Sequence, residues 1–133
     1  MPFVIDASVV LAWAFDEAAP VAAAARARLR SEPASAPGVW WYELRNVLVI
    51  GERRGRISER RTEEFLRDLA TADLAIDHAP NETAVMALAR KHRLTVYDAS
   101  YLELALRAGV PLATLDAPLA SAAVAEGVAL IGD

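Results

Sequence analysis

The sequence contains no cysteine, which excludes disulfides and thiolate metal sites and gives no sign of an oxidising compartment. It has two histidines, His78 and His92. They lack the close spacing of a paired ligand set, which disfavours zinc. Aromatic residues make up 7% of the chain, and the apolar share, rich in Ala, Leu and Val, leans towards helices. The longest apolar runs, such as Val9 to Phe15, are too short to span a bilayer. The start, Met1-Pro2-Phe3-Val4-Ile5-Asp6, lacks the basic and long apolar regions of a signal peptide. These absences lead to the expectation of a cytoplasmic protein with no membrane segment.

What is present fits a single domain over residues 1–133. The chain is 55% hydrophobic and 24% charged, enough apolar material for a core and too much for a disordered chain. Formal net charge is -4, whereas nucleic-acid binders are usually basic. That objection weakens if several acids are gathered to hold a cation, because the bound ion inverts the local charge.

Short apolar runs alternate with helical periodicity. Phe3 to Ile5, Leu74 to Ile76, Leu94 to Tyr97, Pro111 to Leu115 and Val128 to Ile131 read as strands. Helices are expected over Val9–Phe15, Ala18–Arg30, Trp40–Arg54, Arg61–Ala72, Asn81–His92, Ala99–Ala108 and Leu119–Glu126. Ser58 and Asn81 suit N-caps, and Gly109 and Gly127 suit helix ends. Ser31 to Gly38, with two prolines and a glycine, reads as a connection. This alternation predicts an α/β fold, a three-layer αβα sandwich whose mostly parallel central sheet is flanked by helices.

Three aspartates share one local context. Asp6 follows Val4-Ile5, Asp98 follows Val96-Tyr97, and Asp116 follows Thr114-Leu115. Each is expected just past a strand and just before a helix, at the carboxyl edge of a parallel sheet, where ligands bind in open α/β folds. Asp is also a favoured N-cap, so capping competes with chemistry at every one of these positions. Glu43 lies early in a helix among apolar neighbours. It can belong to the same site or simply complement a helix N-terminus. Asn46 shares its face one turn on. Crowded carboxylates repel unless a cation offsets the charge, and hard Mg²⁺ or Mn²⁺ prefers oxygen ligands.

Four segments together resemble the PIN-domain ribonucleases, specifically the VapC toxins of VapBC toxin–antitoxin pairs. They are Val4-Ile5-Asp6-Ala7-Ser8, Tyr42-Glu43-Leu44-Arg45-Asn46, the stretch from Val96-Tyr97-Asp98 to Leu104-Ala105, and Pro111 to Asp116. The resemblance implies a PIN-like fold and Mg²⁺- or Mn²⁺-dependent endoribonuclease activity on single-stranded or looped RNA. Asp6, Glu43, Asp98 and Asp116 would form the acidic metal-binding and catalytic set, with Ser8, Asn46 and Thr114 as polar support. It also implies a VapB-type antitoxin partner and a homodimer.

Glu103 adds an acid beyond Asp98 and reads as solvent-facing or supporting. Asp77 reads as loop, and the two histidines as isolated. The basic stretch Arg53, Arg54, Arg56, Arg60, Arg61 is either a solvated helix surface or a phosphate grip. Trp40 and Trp41 are expected to pack one inward and one outward. Residues Val9 to Leu29 read as core packing before partner groove. The alternative function is a catalytically inactive PIN-like protein that binds RNA or a partner. A haloacid-dehalogenase-type phosphatase would need an acid where Ser8 stands. A receiver-type domain would need a late lysine, but Lys91, the one lysine, precedes Asp98.

Overall fold

The computed structural model describes residues 1–132. Strand β1 (Phe3–Ile5) is buried throughout, as a continuous apolar run in a parallel sheet covered on both faces should be. With β2 (Ala34–Pro37), β3 (Leu74–Asp77) and β4 (Leu112–Ala113) it forms a sheet in the order β3-β2-β1-β4. All the pairings are parallel, with Phe3 opposite Ala34 and Ile5 opposite Ala113. The chain winds outward from β1 through β2 to β3, then returns to the other flank of β1 with β4. The carboxyl ends of β1 and β4 are therefore the point where the winding reverses, and crevices in open parallel sheets form there.

Among the described residues seven helices flank the sheet: α1 (Ala7–Ala14), α2 (Pro20–Leu29), α3 (Val39–Arg53), α4 (Glu59–Leu69), α5 (Glu82–His92), α6 (Val96–Ala108) and α7 (Ala117–Ala125). This is the expected αβα sandwich. Helix α6 packs against α5, α7 and strands β1 and β2, which makes it the central buttress of the core. Its residues Tyr101 and Leu102 are fully buried together with Phe3, Ile5, Val9, Leu44, Leu48, Leu112 and Leu119. Trp13 is also buried, and its indole N–H donates to the carbonyl of Ala22 at 2.8 Å, tying α1 to α2. The stretch from Val9 onward is thus core packing. Gly51 is required by close approach, because a Cβ there would meet the Phe15 ring at 2.9 Å.

Several local expectations hold. The Ser58 hydroxyl accepts from the Arg61 N–H, the Asn81 side chain accepts from the Ala84 N–H, and Gly109 closes α6 at φ 67°. Trp40 is buried and Trp41 exposed. Arg56 pairs with Glu17 and Arg60 with Glu64, each at 3.2 Å, as on a solvated surface. His92 is not isolated: its Nε2 lies 2.6 Å from Glu126, which Lys91 also meets at 2.7 Å.

Four further expectations are corrected. The supposed connection from Ser31 to Gly38 contains β2, an interior strand. Ala34 and Ala36 are small enough to lie under the helices, and neighbours on both sides supply the ladder that propensity does not. Leu94 to Tyr97 is not a strand, since α6 begins at Val96 with Thr95 as its N-cap. Of the run from Val128 to Ile131, Leu130 makes a single bridge to Leu112. Asp77 ends β3 and pairs with Arg107 at 2.7 Å.

The revised start of α6 is testable by urea unfolding. Thr95→Ala removes the hydroxyl that accepts from the Asp98 N–H and should cost about 1 kcal/mol, whereas Thr95→Ser should retain most of it. An unchanged Thr95→Ala midpoint would restore the strand reading.

Candidate active site

The three aspartates reach the same end of the sheet by different routes. Asp6 follows β1 directly and stands at the N-cap position of α1, yet its carboxylate makes no capping bond. Its Oδ2 instead accepts from the hydroxyls of Ser8 and Thr114, each at 2.7 Å. Those hydroxyls also serve the turn after β4. Ser8 Oγ accepts from the Leu115 N–H and Thr114 Oγ1 from the Asp116 N–H, both at 3.0 Å. Each hydroxyl thus gives its proton to Asp6 and a lone pair to the backbone, a closed loop across the switch point. Asp6 and Thr114 are both buried.

Asp116 does cap a helix: its Oδ2 accepts from the Leu119 N–H at 2.9 Å. Asp98 does not follow a strand, contrary to expectation. It sits in the first turn of α6, and its N–H donates to Thr95 Oγ1 at 3.1 Å. Glu43 projects from α3, and its Oε1 accepts from the Tyr101 hydroxyl at 2.6 Å. Asn46 stands one turn along α3, exposed, in the same groove as Glu43.

Burial pushes the Asp6 carboxyl above its ordinary value. The Ser8 and Thr114 hydroxyls oppose that shift, and the charge of Asp116 adds to it. Burial likewise raises Glu43, against the Tyr101 hydrogen bond and with the charges of Asp6 and Asp98. Asp98 is raised by burial and then by Asp116 and Asp6. The four acids therefore act on one another electrostatically, the condition in which a cation is most strongly drawn in. The Tyr101 phenol is held far above its usual range, by burial first, so it remains a proton donor to Glu43.

Glu103 is neither solvent-facing nor part of this group. It is 2% exposed, accepting from the Asn81 N–H at 2.7 Å and from Arg107 at 2.9 Å. It anchors the start of α5. Two residues were missed in the sequence. Thr95-Val96-Tyr97-Asp98 has the spacing of a capping box, which would have signalled a helix start. Tyr101 lies three residues after Asp98 among core positions of α6, where a phenol needs a partner.

The donor set fits a hard divalent cation in kind, since it is made of carboxylate oxygens without thiolate or imidazole. Asp6, Glu43 and Asp116 each commit an oxygen to a fixed protein donor. Among the described residues no three acids converge on one ion position as they stand.

The parallel sheet of this αβα sandwich carries Asp6 and Asp116 at its switch point, and the chain belongs to the PIN domain family, whose model matches residues 3–125. Within that family it is related to the VapC toxins. It is 40% identical over 82 residues to Ribonuclease VapC3 of Pyrobaculum aerophilum, a match covering 59% of this chain and 63% of that protein's length. The crystal structure of PAE2754 from Pyrobaculum aerophilum superposes with a TM-score of 0.73 at 26% identity, covering 92% of this chain and 84% of that one. VapC20 of Mycobacterium tuberculosis, a Sarcin-Ricin loop cleaving toxin, gives a TM-score of 0.63 at 16% identity. That match covers 90% of this chain and 94% of VapC20, and it shows the shared fold.

Two measurements probe the cluster. Asp6, Glu43 and Asp98 have folded-state values raised above those of the unfolded chain. The folded state then holds protons that the unfolded state has released, so these groups cost stability as pH rises through the folded values. Metal-free Asp6→Asn should therefore be more stable than the parent at pH 7. The gap should close as pH falls below about 4, the unfolded aspartate range. A gap that widens in acid would contradict the burial penalty. Tyr101→Phe keeps the packing and removes the hydroxyl. It should cost roughly 1–3 kcal/mol in chemical unfolding, and Glu43→Gln in that background should add little.

Proposed function

We propose that the chain, as one PIN domain over residues 1–133, is a metal-dependent endoribonuclease and the toxin of a type II toxin–antitoxin pair. Its cofactor is Mg²⁺ or Mn²⁺, its partners are RNA and a VapB-type antitoxin, it forms a homodimer, and it works in the cytoplasm. The supporting observation is the loop at the switch point, which spends two hydroxyl protons to hold the buried Asp6 carboxylate beside Asp116. A fold does not need such an arrangement for stability, because it buries a charge near like charges.

Asp6, Glu43, Asp98 and Asp116 would hold the cation, which when bound supplies an activated water and neutralises charge growing on the phosphate. The protein's own part is orientation. Ser8 and Thr114 fix the Asp6 carboxylate, and the same two hydroxyls set the turn that presents Asp116. Tyr101 fixes Glu43, and Thr95 fixes the turn that carries Asp98. His92 is engaged by Glu126 at 2.6 Å.

One observation favours a PIN-like protein that binds RNA or a partner without cutting: no three of the acids converge on one ion position as placed. Cleavage assays separate the two readings. With Mg²⁺ or Mn²⁺ and a mixed tRNA and rRNA panel, the parent protein should cut at discrete sites and EDTA should abolish cutting. Asp98→Asn should lose more than the roughly 10–100-fold that removal of an outer partner costs. Equal cutting by parent and Asp98→Asn would remove Asp98 from the site. An inert parent, free of any copurified antitoxin, would establish the non-cutting reading.

A further inference from the structure

Three acids of the candidate site commit one oxygen to the protein and leave the other. Asp6 uses Oδ2, Glu43 uses Oε1 and Asp116 uses Oδ2. Among the described residues no hydrogen bond ends on Asp6 Oδ1, Glu43 Oε2 or Asp116 Oδ1. The acids that brace the fold behave differently. Asp77 and Glu103 engage both carboxylate oxygens, with Arg107 reaching all four at 2.7–3.3 Å.

The Glu43 bond depends on one side chain alone. Tyr101 is fully buried in α6 and donates to Glu43 Oε1 at 2.6 Å. Its ring cannot turn the hydroxyl to solvent. Drawing Oε1 away would strand a buried donor, which costs more than an ordinary hydrogen bond gains. Glu43 is thus limited to Oε2 for any further contact. Cations differ in what they ask of such a group. Mg²⁺ demands near-octahedral geometry, keeps several waters and takes few carboxylates. Ca²⁺ is larger, collects more oxygens and accepts both oxygens of one carboxylate.

We propose that Tyr101 is a positioning residue for cation choice: by holding Oε1 it restricts Glu43 to one oxygen and favours Mg²⁺ over Ca²⁺. This role rests on the reading of the cluster as a cation site. A phenol that merely filled the core would leave the ratio of the two affinities untouched.

The test starts from metal-free parent protein and reads binding rather than cutting. Loss of the free Mn²⁺ signal in electron paramagnetic resonance reports loading, and Mg²⁺ or Ca²⁺ is then added as competitor. Mg²⁺ should displace Mn²⁺ from the parent at lower concentration than Ca²⁺. Tyr101→Phe should weaken Mg²⁺ binding roughly tenfold, as loss of an outer partner does, and leave Ca²⁺ unchanged or tighter. Glu43→Asp, whose shorter arm withdraws the carboxylate from the phenol, should lower the ratio in the same direction. Tyr97→Phe alters an exposed phenol on the same helix and should change neither affinity. Near-UV circular dichroism checks that each variant is folded.

Equal weakening of Mg²⁺ and Ca²⁺ by Tyr101→Phe, or no change in either, overturns the proposal. A parent that fails to bind Mn²⁺, or takes Ca²⁺ as readily as Mg²⁺, overturns it whatever the variants do. The expected shift in a protein that cuts no RNA would remove the nuclease reading and leave this role. Metal-dependent cutting with a ratio unmoved by Tyr101→Phe would do the reverse.

Discussion

Two hydroxyl protons directed at one buried carboxylate oxygen hold the working end of this molecule together. Ser8 comes from the first turn of α1 and Thr114 from the end of β4, and both donate to Asp6. Because β1 and β4 are neighbours in parallel register, residues over a hundred positions apart in sequence are brought within hydrogen-bond distance. The same oxygens receive the backbone N–H groups of Leu115 and Asp116. The turn that presents Asp116 is thus tied to the side chain of Asp6. Loss of either hydroxyl would leave a buried acceptor short of a donor and loosen that turn, and such unmade bonds cost more than made ones gain.

Around that loop the fold accepts an electrostatic cost. Burial raises Asp6, Glu43 and Asp98, and their mutual charges add to it. The offsets are local and specific: a phenol for Glu43, hydroxyls for Asp6, a capped helix start for Asp98. Elsewhere the acids are neutralised in ordinary ways. Glu103 and Asp77 share Arg107, and Glu126 is met by Lys91 and His92. The contrast separates acids that brace the structure, which have cations of their own, from acids at the switch point, which have only neutral donors.

The three aspartates show how one residue type can do different work in similar sequence surroundings. Only Asp116 caps its helix with its side chain. Asp6 occupies a cap position without capping, and Asp98 lies inside a helix capped by Thr95. Capping and a free carboxylate were competing readings at all three positions, and one turn of backbone decides between them. At Asp98, Leu94 to Tyr97 reads as strand because Val, Thr and Tyr favour extended structure. The hydroxyl of Thr95, three residues before Asp98, tips the segment into helix.

Local chemistry was enough to settle much of this protein. Alternating apolar runs announced a parallel α/β sandwich, Ser58, Asn81 and Gly109 marked helix ends, and Asp6 and Asp116, though not Asp98, were rightly read as following strands at one edge of a sheet. Those signals depend on neighbours within a turn or a strand, so they are written in the sequence itself. Other features depend on partners far along the chain. β2 is a strand because β1 and β3 lie on either side of it, although Ala-Ser-Ala-Pro has little strand propensity of its own. Glu103 is buried because Asn81 and Arg107 close over it, and Tyr101 matters because α3 brings Glu43 to its hydroxyl. The candidate acids could be named from the sequence, while their partners and their burial were decided only when the elements packed.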